Sequence, residues 1–325
     1  MSSFSVVKIQ KPSTPMLYLD TCAMINLARY EVGRCTDTHK ELIGKLYDIL
    51  KSLMGENRIF CVKGNQLEEM GMSSGREQGK DFLYRFENLE LNSPFTIEQM
   101  ELDIGYQAFI NDATQINIGS NLFLKENKCF DLPLTIHIDP VYNKEKTQTL
   151  KESKNNTPAI LNEKKIRGQI EKDFESQLDL EKQADFQLFC NMLRNITQEF
   201  PKYHGIYLTI LKRIGITLDS PEQEWDEAFN AYSQFLLSEH HHLLPYKHIQ
   251  ATLWAHLMQR QNKIKQGDHL DVTWAAAYLP FVDFAVTDND FCELLQNSGL
   301  AEQYKTKVYS LRTLDNLLQE LAIIR

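Results

Sequence analysis

Isolated carboxylates in this sequence follow short apolar segments. Asp20 comes directly after the apolar segment 16–19, and Asp288 and Asp290 follow the largely apolar segment 281–287. Apolar runs of this length are typical of strands buried in a parallel sheet. Ligands of open α/β sheets bind in the crevice beyond the carboxyl ends of such strands. We therefore expect these aspartates to face a binding crevice.

Two further acidic pairs stand where apolar helix patterns begin. Glu68 and Glu69 follow the predicted strand 58–62, and Asp268 and Asp271 open a helical pattern near the other end of the chain. Residues three apart share a helical face, so both aspartates can point the same way. Neighbours lie about 100° apart, so only one glutamate can face the sheet. Glu69 is the better candidate because an apolar residue follows it.

These acids predict one chemistry. Carboxylate oxygens are hard ligands that suit Mg²⁺ or Mn²⁺, and a bound divalent cation can assist the hydrolysis of a phosphodiester bond. The sequence therefore predicts an acidic metal site that joins both ends of the chain, with these acids as candidate ligands or supporting groups: Asp20, Glu68, Glu69, Asp268, Asp271, Asp288 and Asp290.

Each acid also has a purely structural explanation. Asp20 and Asp268 can be N-caps of the helices that follow them, since Asp is a preferred capping residue. Asp271 and the two glutamates can be first-turn acids that suit the helix dipole. Asp288 and Asp290 can belong to an ordinary turn. No single position decides between the two explanations, but their joint occurrence at the ends of α/β elements favours a site.

The elements needed to position these acids form an α/β pattern. Residues 1–14 are expected to be an irregular lead-in. Near the N-terminus we predict these elements: strand 16–20, helices 23–30 and 39–54, strand 58–62 and a helix starting at 66. Near the C-terminus we predict these: helix 271–278, strand 281–287, helix 290–295, strand 307–310 and helix 311–321. Alternation of strands and helices indicates a parallel sheet flanked by helices.

The middle of the chain differs in pattern. Residues 93–262 carry mainly helical periodicity and are predicted to be a helical insertion between two parts of the α/β core, 15–92 and 263–325. The stretch 139–168 is rich in Lys, Asn, Thr and Glu and predicts a flexible loop.

Composition limits the partners. The 325 residues include 44 acids and 35 bases, for a formal charge of −9, which argues against broad nonspecific binding to duplex nucleic acid. Six scattered cysteines without a CxxC pair indicate reduced thiols. No apolar run is long enough to span a bilayer, and the N-terminus lacks a signal-peptide core. The expectation is a soluble cytoplasmic protein without a membrane partner.

Two other groups of residues have a functional and a plain explanation. His240, His241 and His242 are consecutive, so on a helix they point in different directions. A helix end or surface patch is expected, and contact with the substrate is the main alternative. Arg260, Lys263 and Lys265 precede Asp268 and are either a solvated face or substrate-binding contacts to phosphates beside the acidic centre.

At the acidic positions the chain resembles the PIN-domain nucleases, the fold of VapC-type toxins and many RNA-processing nucleases. The resemblance rests on YLDTCAMINL (18–27), IFCVKGNQLEEM (59–70) and DVTWAAAYLPFVDFAVTDNDF (271–291). It covers about 15–90 and 265–325 and leaves the middle unmatched. Because the small toxins lack such a long insertion, the resemblance does not imply a toxin role.

The resemblance implies a set of site residues. In the family, four acids bind Mg²⁺ or Mn²⁺, and the matching positions here are Asp20, Glu69, Asp271 and Asp288. Thr287 matches the threonine that commonly precedes the last acid. The last motif is compact, so Asn289 or Asp290 could take the ligand place of Asp288.

The expected function is therefore metal-dependent ribonuclease activity, with endonucleolytic cleavage of an RNA substrate. One alternative is a structure-specific nuclease of related fold that acts on DNA. Another is a catalytically silent PIN-like module that binds RNA or a protein. Oligomerisation is left open by the sequence.

Overall fold

The computed structural model describes eleven parts of the chain: residues 6–35, 38–64, 66, 82, 89–120, 159–165, 170–171, 173–194, 196–217, 219–260 and 263–324. The predicted acids Glu68 and Glu69, with all but the first residue of the helix predicted from 66, lie outside the described residues. Most of the predicted loop 139–168 lies outside them as well.

Five parallel strands form the central sheet, in the order β4-β3-β2-β6-β7. The strands of this sheet are β2 (Met16–Leu19), β3 (Phe60–Lys63), β4 (Leu89–Glu90), β6 (Phe284–Val286) and β7 (Lys307–Tyr309). The predicted α/β class with a parallel sheet is therefore confirmed. The chain leaves β2 toward β3 on one side and returns to pair β6 on the other, so β2 lies at a topological switch point.

Strand β2 is buried on both faces, which explains its unbroken apolar sequence. Side chains of a strand alternate between faces. Leu17 and Leu19 pack into one apolar cluster, whereas Met16 and Tyr18 pack into the other. The registers pair Leu17 with both Cys61 of β3 and Phe284 of β6. A slip of one residue would exchange the two faces, so burial fixes where the strand ends.

Helices α1 (Thr21–Glu31), α2 (Lys40–Gly55) and the C-terminal helix α13 (Leu314–Ile323) cover the face of Leu17 and Leu19. Their buried residues recur at helical spacing, as in α2, where Ile43, Leu46, Leu50 and Leu53 are all buried. These helices follow the predicted positions to within about two residues at most ends.

Helix α10 (Asp268–Tyr278) packs on the opposite face. The ring of Tyr278 stacks on that of Tyr18, with centroids 3.9 Å apart and planes 15° from parallel. Three small residues beside it, Ala275, Ala276 and Ala277, are fully buried. This packing holds the N-terminal end of α10 near the carboxyl ends of the strands.

The remaining described helices belong to the insertion or connect the last strands. In the insertion they are α3 (Pro94–Ile110), α4 (Phe174–Lys182), α5 (Ala184–Arg194), α6 (Ile196–Ile214), α7 (Glu222–Leu236), α8 (Glu239–His242) and α9 (Pro245–Gln259). Between β6 and β7 lie α11 (Asn289–Asn297) and α12 (Leu300–Gln303). None of the helices in the described part of the chain is both long enough and apolar enough to cross a membrane.

The prediction of an irregular lead-in over 1–14 is wrong for part of it. Strand β1 (Val6–Gln10) pairs in parallel with β5 (Gln115–Gly119), which follows α3, to form a separate two-stranded sheet. The pairing joins segments far apart in sequence, and its short strands carry too weak a pattern to be seen locally. In the described part of the insertion, the regular structure is therefore helical except for strand β5.

Residues 159–165 are helical, although they lie within the loop predicted over 139–168. Two side chains explain this. Asn162 exchanges hydrogen bonds with the backbone of Ile264, and the Lys165 ammonium donates to the carbonyls of Leu257 and Arg260. These bonds anchor the polar segment to the end of α9, so low apolar content here does not produce a loop.

The three histidines lie at a helix end, as expected, but the alternative of a surface patch is wrong for His241. That side chain is almost completely buried, and its Nε2 lies 2.9 Å from Oδ2 of Asp185. Asp185 also pairs with Lys247 at 2.7 Å, and Lys247 contacts Glu98. The three histidines share α8, but the fold buries one of them in a charged network inside the insertion.

Glu101 is a fully buried acid in α3. Its Oε2 accepts a 2.8 Å hydrogen bond from the backbone N–H of Tyr246 in the first turn of α9, while Oε1 has no partner among the described residues. Burial raises the pKa of Glu101 to about 8, against the opposing effects of that N–H and of Lys247. The neutral acid therefore suits this environment better than the carboxylate.

Stability should depend on pH through Glu101. Its folded pKa lies above the ordinary value of 4.5, so its contribution is complete below pH 4.5 and is lost as pH rises through 8. Wild-type protein should therefore lose unfolding free energy on the order of 5 kcal/mol between these limits, and we expect Glu101→Gln to abolish this pH-dependent loss. Urea unfolding at several pH values measures this. The matched control is Glu175→Gln, at an exposed position in α4; equal pH profiles for the two variants would contradict the assignment.

Candidate active site

Asp20 occupies the tip of the central strand. Its backbone N–H donates to the carbonyl of Val286 in the neighbouring strand β6 at 2.8 Å, which extends the sheet pairing to this residue. Its Oδ1 accepts from the N–H of Thr21 at 2.7 Å, so Asp20 is the N-cap of α1. The capping explanation is therefore correct. The capping bond engages Oδ1 of the carboxylate.

Asp271 reaches the same edge from α10. Gly267 precedes that helix with φ of +103°, a conformation that strains any residue with a side chain, and its carbonyl accepts from the N–H groups of Leu270 and Asp271. Gly267 is the N-cap, so Asp268 is the first helical residue and not the cap. The tight entry places Asp271 in the first turn, toward the sheet.

One small cavity joins Asp20 and Asp271. Its volume is about 10 Å³, close to the space that one water molecule occupies. The buried hydroxyl residue Thr287, which follows β6, lines it as well. The rest of its wall is aromatic: Tyr18, Trp274, Tyr278 and Phe291. Two carboxylates from distant parts of the chain thus share one partly enclosed space at the switch point.

Asp288 lies near the tip of β6 and adds negative charge to the same region. Its Oδ1 accepts from the N–H of Phe291 at 3.0 Å and caps α11. Burial raises the pKa of the Cys22 thiol, and the Asp20 and Asp288 carboxylates raise it further. Burial also raises the pKa of Tyr278, with additional contributions from Asp20, Asp271 and Asp288. Three of the predicted acids therefore contribute to one negative field.

Asp290 has a different environment from the acids at the cavity. Its side chain is 61% exposed and forms an ion pair with the ammonium of Lys265. This partner lowers the pKa of Asp290 and raises that of Lys265. Asp268 lies nearby, where its Oδ2 accepts from the backbone N–H of Lys265 at 2.8 Å and burial raises its pKa. Like Asp288, neither Asp268 nor Asp290 lines the cavity of Asp20 and Asp271.

Two of the predicted substrate-binding cations, Arg260 and Lys265, contact Asp290 on the β6 side of this edge. Arg260 lies at the end of α9, with a guanidinium nitrogen 3.5 Å from the carbonyl oxygen of Asp290. Lys263 and Lys265 are exposed. Arg260 and Lys265 thus stand beside Asp290, and Lys265 is already paired with it.

The carboxylates at the cavity are the kind of ligand that a hard divalent cation prefers. Asp20 and Asp271 supply carboxylate oxygens to a cavity of the size of one water, and Asp288 is close enough to add to their field. Within the described ranges, no group of three or more His, Cys, Asp or Glu side chains is placed to hold a metal ion. The glutamates predicted to complete the set lie outside those ranges.

Gln66 is a buried residue that the sequence did not single out. Its Nε2 donates to the carbonyl of Leu19 at 2.7 Å, and its Oε1 accepts from the N–H of Gly64 at 2.6 Å. The side-chain amide thereby ties the end of β3 to the residue before Asp20. The only local signal is a Gln directly after the Gly–Asn break at a strand end.

Gln66→Ala should destabilise the carboxyl edge. The substitution leaves a buried carbonyl and a buried N–H without this partner, which costs about 1–3 kcal/mol of unfolding free energy. Urea denaturation measures the loss. Gln107→Ala on the exposed face of α3 is the control, with little expected change. A Gln66 variant as stable as this control would show that the amide bridge contributes nothing.

Comparisons with protein-family models, with curated proteins and with solved structures found no match to this chain.

Proposed function

We propose that this protein is a metal-dependent nuclease of PIN-like architecture that hydrolyses phosphodiester bonds of RNA, by endonucleolytic cleavage. The observation that supports it most is the shared cavity of Asp20 and Asp271 at the carboxyl edge of the sheet. Asp20 follows the first core strand, and Asp271 lies beyond the insertion. Local capping explains Asp20 by itself, but it does not explain why a second carboxylate faces the same cavity.

Asp20, Asp271 and Asp288 would hold the cation together with Glu69, the member of the set that the family resemblance supplies. When bound, a divalent cation supplies Lewis acidity that lowers the pKa of a coordinated water and offsets charge on the phosphodiester. Thr287 adds a hydroxyl to the cavity wall. The aromatic wall limits the entry of bulk water, which strengthens electrostatic interactions inside the cavity.

The proposed substrate is nucleic acid because the cations Arg260 and Lys265 lie beside acids at the carboxyl edge of the sheet. Arg260, Lys263 and Lys265 can contact phosphates that flank the scissile bond. The chain's net charge of −9 restricts favourable phosphate contacts to such local groups. RNA is proposed over DNA on the strength of the family resemblance.

Asp20→Asn and Asp271→Asn should each abolish most cleavage. Each amide keeps the size of the side chain but removes a negative charge from the cavity, so we expect a loss of at least about a hundredfold in kcat/KM. The measurement is hydrolysis of an end-labelled single-stranded RNA with Mn²⁺, and with EDTA as a blank.

The matched control is Asp179→Asn, an exposed aspartate of α4, which should retain full activity. Equal activity in wild type and both site variants would refute the assignment. Parallel assays with single-stranded and flap DNA distinguish a DNA nuclease. RNA binding without metal-dependent cleavage would indicate a silent binding module.

Substitutions of Asp288 and Asp290 should lower the cleavage rate to different extents. Both aspartates are exposed, but Asp288 contributes to the field around Tyr278, whereas the carboxylate of Asp290 is paired with Lys265. We expect Asp288→Asn to reduce cleavage about as strongly as Asp271→Asn and Asp290→Asn to change it by less than about tenfold. Rate measurements over a Mn²⁺ titration test this, and the opposite order would assign the fourth ligand position to Asp290.

A further inference from the structure

Trp274 differs from the other aromatic residues around the acidic cavity. Tyr18, Tyr278 and Phe291 are buried, and the two tyrosines are stacked on each other. Trp274 is only half-buried, although it lines the same cavity. A large aromatic ring therefore remains partly open to solvent beside two carboxylates. Core packing accounts for the three buried rings but not for the exposed part of this one.

A glycine makes room for this ring. A β-carbon on Gly64, at the end of β3, would lie 3.0 Å from Cζ3 and 3.1 Å from Cε3 of Trp274, and 3.2 Å from Cε2 of Tyr18. The indole thus rests against the backbone of Gly64. Trp274 also follows Asp271 by three residues on α10, so both side chains lie on one helical face. The ring and the carboxylate are positioned by the same rigid helix.

The groups along the carboxyl edge follow a spatial order. Lys265 and Arg260 stand at the β6 end, beside Asp288 and Asp290. Asp20 follows β2, the next strand, and Trp274 lies against Gly64 at the end of β3. Adjacent strands are about 4.8 Å apart, so this edge spans roughly 10 Å from β6 to β3. A polynucleotide crossing it would meet cations, then acids, then the half-buried Trp274.

We infer that Trp274 is a base-binding platform, on which one base of a single-stranded RNA stacks while the adjoining phosphate lies at the Asp20–Asp271 cavity. The inference rests on the proposed function for the identity of the ligand. The cavity, at about 10 Å³, cannot admit a base, so the base lies on the solvent side of the indole. An aromatic ring accepts any base, because every base has a π face.

The platform selects unpaired strands. A base in a duplex is already stacked on its neighbours and must be displaced before it can contact the indole, which costs a few kcal/mol. Single-stranded RNA has no such requirement. The structure thereby favours single-stranded substrate without discrimination among bases at this position.

The test compares ligands with and without bases. All proteins carry Asp20→Asn, which prevents cleavage under the proposed function, and binding is measured by fluorescence anisotropy in Mn²⁺. The probes are an unstructured 12-nucleotide RNA and an abasic ribose-phosphate chain of equal length. We expect the parent protein to prefer the RNA by roughly 5- to 150-fold, the range that stacking of one base provides.

Trp274→Ala and Trp274→Leu should remove most of this preference, and Trp274→Phe should keep most of it. Leu retains apolar bulk, so it separates loss of the π face from loss of packing. Phe95→Ala is the control, because it removes a ring that is 53% exposed on α3. An unchanged preference in the Ala and Leu variants would overturn the inference, as would absence of RNA binding by the parent protein.

Failure of the base-binding platform can be distinguished from failure of the proposed nuclease function. Wild-type protein that cleaves RNA, combined with an unaffected base preference in Trp274→Leu, rejects the platform alone. A lost base preference in a protein whose wild type does not cleave supports the platform and rejects the nuclease.

Discussion

The structure depends on the pairing of one buried strand with neighbours from both ends of the chain. β2 bonds to β3, which follows it closely, and to β6, which lies beyond the insertion. The bond from the Asp20 N–H to the Val286 carbonyl continues that pairing past the strand end. Because parallel strands place their carboxyl ends at one edge, this register brings Asp20, Thr287 and Asp288 together. The stack of Tyr18 on Tyr278 then fixes α10 so that Asp271 joins them.

Much of the core could be predicted because its signals are local. The apolar run before Asp20 identifies a buried strand, and the spacing of Ile43, Leu46, Leu50 and Leu53 identifies α2. The structure places Asp20 and Asp271 on one cavity, as expected from two acids at the ends of α/β elements. The same patterns could not separate capping from chemistry, because Asp20 and Asp288 do cap helices while they face the acidic region.

Features that depend on distant contacts could not be predicted. The β1–β5 sheet joins segments on either side of the first half of the core, and nothing in Val6–Gln10 indicates its partner. His241 is polar by type, yet Asp185 provides the contact that allows its burial. Strand β6 is shorter than the apolar run 281–287, because Phe281 and Val282 instead form the turn that ends α10 and hydrogen-bond to the carbonyl of Tyr278.

The insertion between β4 and β6 sets a time order for biosynthesis. The cavity needs Asp20, near the start of the core, and Asp271 and Thr287, beyond the insertion. Chains grow at about 5–20 residues per second, so the ribosome takes roughly 10–50 s to pass from the first acid to the second. During that interval β2 lacks its β6 neighbour. A nascent chain therefore cannot contain the complete cavity, and the pocket closes only when translation of the core is nearly finished.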